Sequence, residues 1–302
     1  MHWVISLGLI ASTGCSLNRM AADTTAGFLA EAAPAARAYF DYESAGLSAA
    51  SGIVQLEGLH KISPDNEELS LTLAQGYVVY AFGWVQDERE EAMFAGDYER
   101  TDYHQQRAYN MYKRAHDLVF RIVCERDEKI EKLAKGDPAL LAKHLRKEWT
   151  DAEDDVELTF WWALTWGSVV TNSPDFDALI DFNAVKAVAA HVVFLDEKYE
   201  NAGALAMLGG YESSYPEAIG GDWKKGRQLF ERAIALSKRR NHLHLINFAR
   251  TYALNAQDKE LFVALLNEVL NAPDLGDEVR LSNKVARRRA QRYLDNIDQW
   301  FP

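Results

Sequence analysis

The 302-residue sequence predicts an all-α protein: an irregular stack of antiparallel helix pairs, an α-solenoid or bundle, with a C-terminal capping helix. Three observations carry this. Apolar residues recur at helical spacing, strand signals are scarce, and the breaks fall at helix-cap sequences. Leu69, Leu73, Tyr77, Tyr80 and Trp84 follow one another at steps of four, four, three and four, so they share one helix face. Leu229, Phe230, Ala233 and Leu236 repeat the pattern, as do Leu261, Leu265, Val269 and Leu270. Ser63-Pro64-Asp65-Asn66 ends one helix and starts the next. Asp137-Pro138 reads as an N-cap followed by proline at the first helical position. Ser173-Pro174, Gly220-Gly221-Asp222 and Ala272-Pro273-Asp274 also punctuate the chain. About a dozen helices follow, and short connections make neighbours antiparallel.

The helices carry a repeat. A small residue, a large one four positions on and a small one three further let two helices approach closely, with the large side chain filling the groove between them. This is the pattern of a tetratricopeptide (TPR) second helix. Gly226, Phe230 and Ala233 fit it, as do Ala108, Tyr112 and Ala115. Gly52, Leu56 and Leu59 fit loosely, and Val185, Ala189 and Val192 form a weak fourth. From Leu59 to Ala115 is 56 residues, from Ala115 to Val192 is 77, and from Val192 to Ala233 is 41. A regular TPR array repeats every ~34. The stack is therefore irregular, with helices inserted at about Asp87 to Tyr103 and Arg126 to Thr150. Both insertions are highly charged, which places them on the outside. A helical bundle without repeats is the alternative.

Charge narrows the partners. The formal net charge is −12, against the basic face that nucleic acid requires. The one dense basic run, Arg287, Arg288, Arg289 and Arg292, reads as a solvated or ion-paired terminal helix. Leu281, Val285, Tyr293 and Leu294 pack that helix down as the cap.

No metal or cofactor motif occurs, nor a nucleophile elbow, so no catalytic residue, metal or cofactor is expected. The acidic run Asp151, Glu153, Asp154, Asp155 and Glu157 reads as favourable charge at a helix N-terminus. His242 and His244 lie on different helix faces and make poor co-ligands.

Two aromatic stripes remain as candidate ligand- or partner-binding residues: Tyr77, Tyr80 and Trp84, and Trp161, Trp162 and Trp166. Core packing is the commoner reason for such aromatic stripes. Trp161 and Trp162 point about 100° apart on a helix, so both cannot face one neighbour. One of them is expected to line a groove or cavity.

At the N-terminus, Val4 to Thr13 are apolar or small and Gly14-Cys15 follows, an arrangement like an export signal with a lipobox. Ser12 stands where leucine is usual, and His2 is the only basic residue ahead of the apolar run. Residues 1–15 are read as the signal, Cys15 as the lipidation site and 16–302 as one TPR-like domain. Ser16 after the cysteine favours the outer membrane.

Taken in order, these segments resemble the TPR-containing T component of TRAP transporters, the tripartite ATP-independent periplasmic transporters. The likeness rests on Cys15-Ser-Leu, Pro64-Asp-Asn with Leu-Ala-Gln-Gly76-Tyr-Val-Val-Tyr-Ala81, Arg107 to Ala115, Phe160-Trp-Trp-Ala-Leu-Thr-Trp-Gly167, Phe230-Glu-Arg-Ala-Ile-Ala-Leu-Ser237 and Asn283 to Leu294. It implies a periplasmic lipoprotein that oligomerises, as a trimer, docks the transporter's solute-binding protein and holds or passes an apolar ligand. Gly46 to Ser51 departs from it, being small and polar where a longer apolar helix is expected. A general TPR adaptor for peptides is the second reading, and a helical hydrolase the third.

Overall fold

The computed structural model describes residues 10–301 except 216, 218 and 219, with side chains from Leu17 onward. Among the described residues there are helices and connections but no strand. The chain begins with α1 (Ile10–Arg37), α2 (Tyr42–Ile62) and α3 (Glu67–Tyr80). A π-helical segment, Ala81–Val85, joins α3 to α4 (Gln86–Phe94). Then come α5 (Tyr98–Arg126), α6 (Ile130–Ala134), α7 (Pro138–Glu148), α8 (Ala152–Asn172), α9 (Phe182–Asp196), α10 (Tyr199–Ser214) and α11 (Trp223–Leu236). The last are α12 (His242–Asn247), a second π segment (Phe248–Ala253), α13 (Lys259–Asn271) and α14 (Arg280–Asp295).

The caps act as the sequence predicts. Asn66 Oδ1 accepts from the Leu69 N–H at 2.8 Å, and Asp137 Oδ1 from the Ala139 N–H at 2.8 Å. Asp222 caps α11 through the Lys225 N–H at 2.9 Å, and Asp151 caps α8 through the Glu153 N–H at 2.9 Å. Each such cap is worth about 1 kcal/mol.

Successive helices pack as neighbours: α2 on α3, α3 on α5, α5 on α8, then α8, α9, α10 and α11 in turn. The apolar interior forms two clusters. One runs from α1 to α10, and the other from α10 to the C-terminal Phe301. Helix α10 serves both, giving Ala204 and Leu208 to the first and Leu205 and Ala206 to the second. Helix α14 returns to pack on α1 and α2, so the two ends of the stack meet.

The small–large–small pattern does what sterics require of it. A Cβ on Gly226 would lie 2.2 Å from Ser213 Oγ, and one on Gly209 would lie 2.9 Å from the Phe230 ring, so α10 and α11 meet at glycine contact. Ala108, Tyr112 and Ala115 are buried together on α5, and Val185, Ala189 and Val192 on α9. Gly52 is different, since a Cβ there would meet nothing within 4 Å. The small stretch beginning at Gly46 has its own reason: a Cβ on Gly46 would lie 2.4 Å from Trp84 Nε1. The glycine makes room for that indole.

The segment Phe176–Asp196 is long and apolar enough to cross a membrane by length and composition. Its Val185, Val188, Ala189 and Val192 are fully buried, so core packing explains its apolarity. Between α9 and the regular part of α10, Glu200, Asn201 and Ala202 hold φ of 46°, 59° and 65°. His244 Nε2–H donates to the Asn201 carbonyl at 2.7 Å and fixes this left-handed turn.

One expectation is corrected. The insertion Asp87 to Tyr103 does not lie wholly on the outside: Asp87 is only 2% exposed and Asp87, Glu90 and Glu91 face α14, whereas Glu88 pairs with Arg107 and His104 of α5 and residues 95–100 are exposed. Those three acids are matched there by the arginine run. The second insertion keeps its charges outward and buries Ile130, Leu141 and Leu145.

Candidate functional site

The meeting of α4 and α14 is built from opposite charges. Asp87 Oδ2 accepts from Arg288 Nε at 2.5 Å, and Asp87 Oδ1 from Arg292 at 2.5 Å. Glu90 accepts from Arg292 at 3.0 Å and from the Tyr293 hydroxyl at 2.8 Å. Glu91 accepts from both Arg288 and Arg292. Positions 87, 90 and 91 share one face of α4, while 288 and 292 lie one turn apart on α14, so the two rows interlock. Burial works against the Arg288 charge, but the Asp87 hydrogen bond and charge hold its pKa above the ordinary value. The arginine run is thus ion-paired rather than solvated, although Arg287 turns away to the Ala272 carbonyl.

Arg289 is 4% exposed and reaches a different target. It donates to the Phe82 carbonyl at 2.6 Å and lies 4.1 Å above the Phe82 ring. Phe82 belongs to the first π segment, whose wide turn frees carbonyls from regular helix bonding. The neighbouring Gly83 carbonyl accepts from the Tyr42 hydroxyl at 2.7 Å. The C-terminal helix and α2 therefore satisfy the backbone of this irregular turn.

The first predicted aromatic stripe continues from here. Trp84 stacks on Tyr42 at 5.2 Å and on Tyr80 at 5.9 Å, and its Nε1–H donates to the Tyr42 carbonyl at 3.2 Å. Tyr77 lies apart from this stack. Its hydroxyl donates to Glu57 at 2.9 Å, and Arg114 grips the same carboxylate through two bonds of 2.8 and 3.0 Å. Burial, then the Glu57 bond, pushes the Tyr77 phenol up to about 12. Tyr77 and Tyr80 are half-buried, while Trp84 is buried.

The second stripe lies wholly inside. Trp161, Trp162 and Trp166 are all buried, and Trp162 has no exposed surface. Trp162 and Trp166 stack at 5.7 Å with nearly parallel rings, and His116 and Phe120 of α5 extend the pile. Burial pulls the His116 pKa down to about 4, so its ring is neutral near pH 7. Trp161 points elsewhere, edge-on to Phe160, as the 100° separation requires. Trp166 Nε1 donates to Asp181 at 3.2 Å, whereas the buried Trp162 Nε1 finds no acceptor among the described residues. The two stripes do not merge; α3 and α8 pack separately against α5.

An open cleft of about 880 Å³ runs along the charged seam. Tyr42, Glu91, Phe94, Arg287, Arg288 and Arg292 contribute to its walls. Arg288 lies 5.1 Å above the Tyr42 ring, which connects the cleft to the Tyr42–Trp84–Tyr80 stack. The sequence reading missed the seam. Its signal was present as an acidic row at 87, 90 and 91 and a basic row at 288 and 292, both at helical spacing.

Cys15 lies in α1 by backbone, but its side chain and residues 1–9 fall outside the described residues, and with them the predicted lipidation and most of the export signal.

Helix pairs closed by small residues, stacked irregularly and stapled end to end, define an all-α, TPR-like helical stack. The chain belongs to the TRAP transporter T-component family, whose model matches residues 40–301. No curated protein matches the chain.

Proposed function

We propose that the protein is a periplasmic scaffold, anchored by lipid at Cys15 to the outer membrane, that docks the solute-binding protein of a TRAP-type transporter. Family membership over residues 40–301 is the observation that carries this reading. On this reading residues 16–302 act as one TPR-like unit, self-associating as a trimer, and binding replaces catalysis. Tyr77, Tyr80, Trp84, Trp161, Trp162 and Trp166 are proposed as the walls of an apolar ligand or partner site. Two features support that assignment: Tyr77 and Tyr80 keep a solvent-facing edge, and the buried Trp162 Nε1 has no acceptor among the described residues.

Capture of the native protein from an envelope extract tests the docking. A TRAP solute-binding protein is expected in the captured fraction under mild detergent, and its absence there contradicts the reading. Labelling with a radioactive fatty acid tests the anchor: label is expected on the native chain and not on Cys15→Ala. Full retention of ligand or partner binding by Trp162→Ala counts against the aromatic assignment.

A further inference from the structure

Helix α1 carries its charges toward the stack and its apolar side toward the surroundings. A helix on a water-exposed surface normally does the reverse. Arg19 pairs with Asp65 at 2.9 Å, Asp23 accepts from Asn66 at 2.7 Å, and Arg37 pairs with Glu200 at 3.4 Å. These groups reach back to the α2–α3 link and to the start of α10. Ala22 and Ala26 are buried on that same side.

The opposite face is apolar and open. Leu17, Met20 and Phe28 are 64%, 63% and 68% exposed. With Thr24 they follow at steps of three, four and four, so they form one stripe, with Ala21 beside it. No charge stands on this stripe before Glu31. The Thr24 and Thr25 hydroxyls donate to the Met20 and Ala21 carbonyls at 2.9 and 2.8 Å, so both are satisfied without water.

Position along the chain decides what covers this face. Cys15 lies in the same helix, two residues before Leu17. Two residues span at most about 7 Å, so an acyl chain on Cys15 holds Leu17 at the bilayer surface. Phe28 follows about 16 Å further along the helix. An interfacial helix sinks its apolar face about 5–10 Å into the headgroup boundary, a depth that suits a stripe free of charge. The net charge of −12 gives no attraction to anionic lipid, so the contact is an apolar one.

We infer that the outer face of α1, from Leu17 to Phe28, is a membrane-contact surface that seats on the phospholipid bilayer and lays the stack along it. The inference rests on the proposed anchor at Cys15, which brings this face to the membrane; the contact itself comes from the stripe.

Photocrosslinking of the native chain on phosphatidylcholine vesicles tests this. Benzoylphenylalanine replaces Phe28, and mass spectrometry defines the N-terminal modification of the same sample. A lipid adduct is expected at position 28, and it should persist in high salt because the contact is apolar. The same group in place of Tyr98, which is exposed between Asp97 and Glu99, should give no lipid adduct. Met20→Asp in the position-28 chain should cut the adduct about fivefold or more at an unchanged melting temperature. If the group at position 28 disturbs the fold, the same group in place of Met20 carries the test. Absence of a lipid adduct at position 28, or an equal one at position 98, would overturn the inference. A chain-to-chain adduct at position 28 would overturn it too, assigning the face to a second copy. A lipid adduct on a chain without an acyl group would sink the anchor and keep the contact face; an acylated chain without the adduct would do the opposite.

Discussion

The two charged insertions, 87–103 and 126–150, look alike in composition and end in opposite environments. The first turns Asp87, Glu90 and Glu91 onto the arginines of α14, where Asp87 is 2% exposed. The second keeps its ion pairs at the surface, as in Lys135–Glu131, whose side chains are 71% and 65% exposed. The difference lies not in the insertions but in what else the chain supplies. Region 87–103 has a complementary basic row on a helix that returns to it, and region 126–150 has none of comparable density. Its one tighter polar feature is Asp127, which takes His144 Nε2 at 2.5 Å and Trp149 Nε1 at 3.3 Å.

If this contrast is right, Asp87→Asn is the most damaging polar change. It leaves Arg288 and Arg292 undercompensated in a poorly hydrated place, at a cost of about 3–5 kcal/mol by urea denaturation. A loss below about 1 kcal/mol would show that water already screens the seam. Gly46→Ala probes the support beneath it, since the added methyl drives into the Trp84 ring; about 1–3 kcal/mol should be lost. Gly52→Ala, on the same helix with open space around it, should instead gain up to about 1 kcal/mol.

In the second insertion the effects are smaller. Hydrogen bonds from His144, Trp149 and the Lys129 N–H hold the Asp127 pKa below its ordinary 3.8 despite burial. A lowered folded pKa stabilises the fold above the unfolded value, and that contribution disappears as pH falls through the folded one. Stability measured from pH 5 to pH 2 should therefore fall less steeply in Asp127→Asn than in the native chain. Lys135→Ala should stay within about 0.5 kcal/mol of native.

Much of the fold was legible because helix periodicity and caps are local. Asn66, Asp137 and Asp222 fix helix starts through contacts two or three residues away. Gly226 and Phe230 announced a close helix contact, although not that Ser213 and Gly209 would supply the other side. The seam was not legible as a site because Asp87 and Arg292 are 205 residues apart, and a charged row alone does not reveal its partner. The first π segment was hidden for a similar reason: Arg289 and Tyr42, from opposite ends of the chain, satisfy carbonyls that a regular helix would use itself. The aromatic stripes were visible as stripes, but only the packing separates the buried Trp162–Trp166 stack from the half-exposed Tyr77 and Tyr80.

A double-mutant cycle on Asp87→Asn and Arg292→Gln, followed by urea denaturation, tests most directly whether α14 staples the stack through buried charge. Coupling of at least about 1 kcal/mol is expected, with the double variant less destabilised than the sum of the singles. Additive losses would contradict it and leave α14 a terminal helix whose charges are solvated rather than coupled.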